Sequence, residues 1–336
     1  MRIHYNEGAI KTYRQSVLIY NPYAGALRRR SHALQRSIEL LDARGITVDS
    51  IATSGPGHAG ELARYAVDRG ADLILVAGGD GTINEAVNGM AHSDVPLGIL
   101  PAGTANVLAN ELGIGKSMEC AATVLASSLR ERVALGLISS ETDDTRRHFL
   151  LMAGAGLDAD IVYNLNPRMK EAVGKMAYWI GGFSQLGRRI PEFLVQANAG
   201  EYRAGFALLS RVRNYGGDLE IAPTISLLDD EFEMVLFEGE SSLGFLKYML
   251  AVVFRQQRTI PGITILRTRQ AVFSALNGAK IHLQVDGEYA GLAPARVEIV
   301  PNALTLLVPP GFRARRPASV ASLSEGDAAW TTSPTR

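Results

Sequence analysis

The apolar residues of this chain follow two different rhythms. Over the first 130 residues, short apolar runs alternate with stretches whose apolar positions recur at helical spacing. VLIYN (17–21) reads as a strand, and SHALQRSIELLDARG (31–45) as a helix that stops at Gly45. ITVDSIAT (46–53) and AGELARYAVDRG (59–70) repeat the pair, with Gly70 as the stop. ADLILVAGG (71–79) is apolar enough to be buried on both faces and precedes the helical TINEAVNGMA (82–91). PLGILPAG (96–103) precedes the helical TANVLANELG (104–113). Strands separated by helices of this length predict a parallel, doubly wound sheet.

After about residue 131 the runs become short and β-like. They are VALGLIS (133–139), HFLLMAGAG (148–156), EFLVQANA (192–199), YRAGFALLS (202–210), FEMVLFEG (232–239), GITILRT (262–268), AKIHLQVDG (279–287) and ARVEIV (295–300). Helical patterns interrupt them at 168–186 and 241–256. The fold class expected is α/β, with an N-terminal doubly wound parallel sheet and a C-terminal, mostly antiparallel β-rich domain. The boundaries expected are 15–131, with 302–315 added, for the first domain and 132–301 for the second. ALTLLVP (303–309) lies beyond Pro301 and fits either domain. Residues 316–336 are polar and rich in Ser, Ala and Pro, the composition of a disordered tail.

Charge and cysteine content narrow the setting. The 336 residues hold 34 basic and 34 acidic side chains, so no net field draws the chain to nucleic acid. Arginines cluster at Arg28, Arg29 and Arg30, at Arg188 and Arg189, and from 313 to 316, and each cluster reads first as a solvated face. A single cysteine, Cys120, forbids an intrachain disulfide and suits a reducing, cytoplasmic compartment. The N-terminus lacks the apolar stretch of a secretory signal. The longest apolar run, FLKYMLAVVF (245–254), contains Lys247 and falls short of the roughly 18 residues needed to span a bilayer. Membrane contact is therefore expected to be peripheral, with no transmembrane segment, and a homodimer is left open.

The candidate chemistry sits in glycine turns. GPGHAG (55–60) matches the dinucleotide pattern formally, but it is not on the first strand, and Pro56 removes an amide that a pyrophosphate would use. GGDGTINE (78–85) is the stronger signal. Gly78, Gly79 and Gly81 let successive amides point into one concavity, and the helix that follows adds its positive end. Thr82 is the expected N-cap, with Glu85 completing a capping-box spacing. Asp80 beside a phosphate would repel it unless Mg²⁺ lay between them, or unless it held a ribose hydroxyl or water. PAGTAN (101–106) repeats the design one unit later, with Gly103 in the turn and Thr104 as cap, and NPYAG (21–25) ends the first strand in a third turn. No Walker A lysine is present, so this is not a P-loop.

Taken in order, NPYAG, GGDGTINEAVNG, LGILPAGTANVLANELG, MAGAGLDAD, YGGDLEIAP, LLDDEFEMVLFEG and VDGE resemble the diacylglycerol kinase catalytic-domain family. The resemblance is to its soluble bacterial lipid-kinase members, related to sphingosine and ceramide kinases, and it runs from about residue 16 to 310. It implies an ATP-binding α/β domain and a lipid-binding β-rich domain, with the active site in the cleft between them. It implies nucleotide contacts at Asn21, Thr53, Gly78, Gly79, Asp80, Gly81, Thr82, Ile83, Asn84, Gly103 and Thr104. It places the general base on Glu288, with Asp286 beside it and Asp80 in the catalytic set. A lipid hydroxyl is a poor nucleophile until a carboxylate accepts its proton. By spacing alone, Asp286–Gly287 reads equally as a hairpin turn.

Some relatives hold a structural Mg²⁺ in a D-D-G-x-x-D loop, which implies ligands at Leu227, Asp230 and Phe232. Here Glu231 replaces the glycine and Met234 the last acid. Val107, where many relatives have aspartate, and SRVRNYGG, where relatives often place an asparagine near Arg211, are further departures. The reading is an ATP- and Mg²⁺-dependent lipid kinase acting on diacylglycerol at the bilayer surface. A sphingoid base, another lipid alcohol or NAD is the alternative acceptor, and a non-catalytic nucleotide- or lipid-binding regulator is the alternative class. Lys175, in GKMAYWIGGF (174–183), marks a rim where a lipid head group would meet the membrane, or a helix packed on its own domain.

Overall fold

The computed structural model describes residues 13–29, 32–140, 142, 144–164, 189–216 and 219–315. The expected helix at 168–186 with Lys175, the tail at 316–336, and Arg30, Arg188 and Arg316 lie outside them. The chain divides into two compact units, Met1–Arg132 with Ala303–Pro310, and Val133–Asn302 with Gly311–Arg336.

The first unit is built on strands β1 (Tyr13–Tyr20), β2 (Ile46–Ala52), β3 (Leu73–Gly78) and β4 (Pro96–Pro101), and on the 303–308 end of the final strand. Their order is β2-β1-β3-β4-final strand, and every pairing along it is parallel. All six residues of β3 and all six of β4 are buried, as their unbroken apolar runs require of strands covered on both faces. The helices are α1 (Gly25–Arg29), α2 (Ala33–Asp42), α3 (His58–Asp68), α4 (Asp80–Met90), α5 (Val107–Leu112) and α6 (Met118–Leu125). Gly45 and Gly70 follow α2 and α3 at φ 80°, the left-handed conformation that ends a helix. Helix α6, capped by the Ser117 hydroxyl accepting from the Cys120 amide, is an element the apolar pattern did not single out.

GPGHAG has a packing role. Helices α3 and α4 touch where a Cβ on Gly89 would lie 2.1 Å from the Gly60 carbonyl oxygen, so the third glycine of the motif serves helix contact.

The second unit runs through β5 (Leu129–Ser140), β6 (Thr145–Phe149), β7 (Met152–Gly156), α7 (Leu157–Asn164), β8 (Phe193–Ala197), β9 (Gly200–Ala204), β10 (Phe206–Ser210), β11 (Asn214–Tyr215), β12 (Leu219–Glu220), β13 (Phe232–Phe237), α8 (Ser242–Val253), β14 (Ile263–Thr268), β15 (Gln270–Ala275), β16 (His282–Val285), β17 (Glu288–Leu292) and β18 (Ala295–Val308). One antiparallel sheet has the order β14-β13-β10-β7-β16-β17. The other strands pair as β18-β15-β8-β9, also antiparallel, with β6 on β5. Residues from both sets, among them Phe149, Phe193, Phe232, Phe273 and Val285, share one buried cluster. Two runs that read as single strands are broken. HFLLMAGAG divides at Leu150 and Leu151 into β6 and β7, and YRAGFALLS divides at Gly205 into β9 and β10. ALTLLVP continues β18 through Pro301 and pairs with β4.

Candidate active-site residues

In the first unit, parallel strands bring the turns after β1, β3 and β4 to one edge of the sheet. Main-chain hydrogen bonds join them: the Asn21 amide donates to the Ala77 carbonyl at 3.0 Å, Ala102 to Gly78 at 2.9 Å, and Ala26 to Ala102 at 2.9 Å. Thr53, buried just past β2, donates its amide to the Tyr20 carbonyl at 2.8 Å. The two glycine turns meet backbone to backbone, since a Cβ on Gly103 would lie 2.5 Å from the Gly79 Cα.

Neither threonine caps its helix. Helix α4 begins at Asp80 behind the N-cap Gly79, three residues earlier than the capping pattern predicts. Thr82 is inside its first turn and lies over Gly78, where a Cβ would come within 2.6 Å of the threonine Cβ. The Thr82 hydroxyl accepts from Asn21 Nδ2 at 3.4 Å, and Glu85 accepts the Ala59 amide at 3.2 Å instead of reaching back along its own helix. Thr104 is exposed in a turn that Asn106 closes, its side chain accepting from the Gly103 amide and donating to the Gly103 carbonyl.

The cap of α5 comes from a distance. Asp80 accepts the Val107 amide at 3.1 Å and the Leu108 amide at 3.3 Å, one on each carboxylate oxygen. Its charge therefore faces the positive end of α5. Gly81 lies in the first turn of α4, while the side chains of Ile83 and Asn84 are buried within the unit. Beside Gly103 and Asn106 is a cavity of about 210 Å³, also lined by Arg29, Lys116 and the Ser117 cap of α6. The sequence pattern reads Arg29 as part of a solvated cluster and does not single out Lys116, because no motif contains either.

In the second unit, Asp286 and Gly287 form a two-residue hairpin turn between β16 and β17, at φ 49° and 81°. Asp286 is more than a turn residue. Its carboxylate accepts the amides of Leu150 at 3.0 Å and of Leu151 and Met152 at 2.9 Å, which is why the 148–156 run breaks there. Its own amide donates to the Met152 carbonyl at 2.9 Å. Glu288, the first residue of β17, is half-exposed and ion-paired to Arg147 of β6. Arg147 is a partner no local pattern announces.

The turn also connects to a buried acid. Asp158, at the start of α7, is 0% exposed and accepts hydrogen bonds from the Tyr215 hydroxyl and from Gln284 Nε2. Gln284 in turn accepts the Gly287 amide at 2.9 Å. Burial pushes the Asp158 carboxyl up to about 6, against the pull of its two hydrogen bonds.

The implied metal ligands lie in a loop crowded with arginines. The Leu227 carbonyl accepts from Arg211, the Asp230 carbonyl accepts from Arg269, and Phe232 is fully buried at the start of β13. These residues do not fit a magnesium site. Among the described residues, no three His, Cys, Asp or Glu side chains are grouped to hold a metal.

Residues 15–138 match the model of the diacylglycerol kinase catalytic domain, and residues 152–308 match that of the YegS C-terminal NAD kinase beta sandwich-like domain. A diacylglycerol kinase of Bacillus subtilis (strain 168) is 30% identical over 284 residues, covering 82% of this chain and 90% of the relative. One of Mycobacterium tuberculosis (strain H37Rv) is 30% identical over 296 residues, covering 86% and 93%. A crystal structure of a Bacillus anthracis str. Sterne protein has a TM-score of 0.76 at 21% identity, over 92% of this chain and 100% of that one. A second, of a diacylglycerol kinase from the same strain, has a TM-score of 0.71 at 20% identity, over 90% and 99%. The two structures establish the fold; the curated relatives and the catalytic-domain model establish the family. This chain belongs to the diacylglycerol kinase family and is a lipid kinase.

Proposed function

We propose that the enzyme transfers the γ-phosphoryl group of ATP to the free hydroxyl of diacylglycerol, giving phosphatidic acid, at the cytoplasmic surface of a bilayer. The observation that carries this reading is the acid turn: Glu288 is a half-exposed carboxylate on a hairpin that Asp286 fastens with three amide hydrogen bonds. A fixed carboxylate is what a lipid hydroxyl needs to lose its proton as the new P–O bond forms.

In this reading Glu288 accepts the proton, and Arg147 holds it in place. Asp286 acts through the turn and touches no substrate. Asn21, Thr53, Gly78, Gly79, Gly81, Thr82, Gly103 and Thr104 flank the nucleotide. Ile83 and Asn84 support that edge from inside, because their side chains are buried. Magnesium would be held by Asp80 together with the phosphates of ATP, and would neutralise charge on the transferring group. Asp80 suits this role as a carboxylate at the edge where the glycine turns meet, fixed in place by the Val107 and Leu108 amides.

Helix α8 supports a peripheral encounter with lipid. Leu250, Val253 and Phe254 are 49%, 45% and 68% exposed at helical spacing, with Lys247 and Arg255 nearby. No helix among the described residues is long and apolar enough to cross a membrane.

The test is phosphate transfer from labelled ATP to vesicles carrying diacylglycerol, ceramide or sphingosine, with NAD as a soluble acceptor. Diacylglycerol is expected to be phosphorylated fastest. Glu288→Gln is expected to lower kcat by roughly 10²–10⁴ while ATP affinity holds. Full activity of Glu288→Gln would remove its role, and preference for another acceptor would remove the substrate.

A further inference from the structure

The 224–232 loop contains three successive acids, Asp229, Asp230 and Glu231, and it is held by three arginines. Arg211 is the unusual one, because its side chain is 0% exposed. Its Nη2 donates to the Leu227 carbonyl at 2.8 Å and its Nη1 to the Asp229 carbonyl at 3.2 Å. Its own amide is fixed to the Leu151 carbonyl at 2.8 Å. Arg267 donates to the Asp229 carboxylate at 3.0 Å and to the Thr224 carbonyl, and lies 4.0 Å from Glu231. Arg269 donates through Nε to the Asp230 carbonyl at 3.0 Å.

We propose that Arg211 is the resident cation of this loop, ordering through its guanidinium the Leu227 carbonyl that a magnesium ion would otherwise take, together with the Asp229 carbonyl, so that the second unit folds without a structural metal. The planar fork of an arginine can donate to several carbonyls at once, and a buried charge persists only where such partners surround it.

A divalent ion would have to take the Leu227 carbonyl from a guanidinium and then sit against that positive charge. It would also lack an acid where Met234 stands, since that side chain is 0% exposed within the apolar cluster. Met234, a departure within the metal-loop pattern, and Arg211, a departure outside it, therefore act in the same direction.

The test is thermal unfolding of the full chain without nucleotide or lipid, in EDTA and in excess MgCl₂, so its outcome is independent of which substrate the enzyme uses. The wild-type midpoint is expected to agree between the two conditions to within about 1 °C, and Asp230→Ala is expected to be equally insensitive. Arg211→Met is expected to lower the midpoint by roughly 5–10 °C in both conditions. If that variant does not fold, Arg211→Lys, which keeps the charge without the fork, takes its place with a smaller loss in both. A magnesium-dependent rise in the wild type that Asp230→Ala abolishes would overturn the proposal.

Discussion

The two units both fix a carboxylate with main-chain amides, and the second adds arginines around further acids. The sheet-edge turns of the first are ordered by main-chain hydrogen bonds, a glycine–glycine contact, and one carboxylate, Asp80, set against helix amides. In the second, Asp286 is likewise set against amides, but three further acids are met by arginines: Glu288 by Arg147, Asp229 by Arg267, and Glu233 by Arg258. Amides and helix ends attract an anion without adding a mobile charge, which suits the nucleotide role proposed for that edge. A carboxylate that must hold its place as a proton acceptor needs a partner that orients it, which suits the role proposed for Glu288 in the second. The contrast teaches that fixing a ligand and fixing a base place different demands on the backbone.

Asp158 lies outside the arginine pattern, because it is buried and held by Tyr215 and Gln284, and the largest effect is expected there. Its carboxyl titrates near 6 when folded, against 3.8 ordinarily. The folded state therefore binds the proton more tightly, and this group's contribution to stability falls as pH rises from about 4 to about 6. Asp158→Asn removes that dependence. Urea unfolding should show the variant gaining on the wild type by up to about 3 kcal/mol between pH 4 and pH 7. A constant difference across that range would show that the buried acid is not destabilised.

Gly103→Ala tests the first unit and should cost somewhat less. The added Cβ would sit 2.5 Å from the Gly79 Cα and 2.9 Å from Asn106 Oδ1, so the two turns must part. A loss of about 2 kcal/mol in stability and a weakening of ATP binding by about tenfold are expected, read by urea unfolding and calorimetric titration. Gly55→Ala is the control, because its Cβ would meet nothing within 4 Å and should change neither.

How much of this was legible in the sequence follows from how local each signal is. The buried runs of β3 and β4, the glycine stops at Gly45 and Gly70, the α/β class and the antiparallel second half are all written in neighbouring residues. So are the three turns that the parallel strands bring to one edge. The contacts that order those turns are written at long range. Asp80 caps a helix 27 residues later, Asp286 gathers amides 134 to 136 residues earlier, and Glu288 meets an arginine 141 residues away. The threonines at 82 and 104 fit a local capping pattern, but α4 and α5 start where Gly79 and Asp80 allow. The strand break at Leu150 and Leu151 is invisible in HFLLMAGAG because its cause is the Asp286 carboxylate.

The smallest effect concerns Arg147, and it sharpens the comparison most directly. If the second unit uses arginine to aim its base, removing the guanidinium should leave substrate binding intact and slow only the chemical step. The Arg147 side chain is 25% exposed and that of Glu288 37%, so solvent screens the pair and its net worth is modest, on the order of 1 kcal/mol. Arg147→Met is accordingly expected to lower kcat by about fivefold while KM for ATP is unchanged. Arg147→Lys, which keeps the charge, should recover part of the loss. In the Glu288→Gln background the same Arg147 substitution should cost nothing further, because the group it aims is gone. An equal fivefold loss in that background would mean that Arg147 acts on the substrate or on the fold, and that the second unit's arginines are not there to aim its carboxylates.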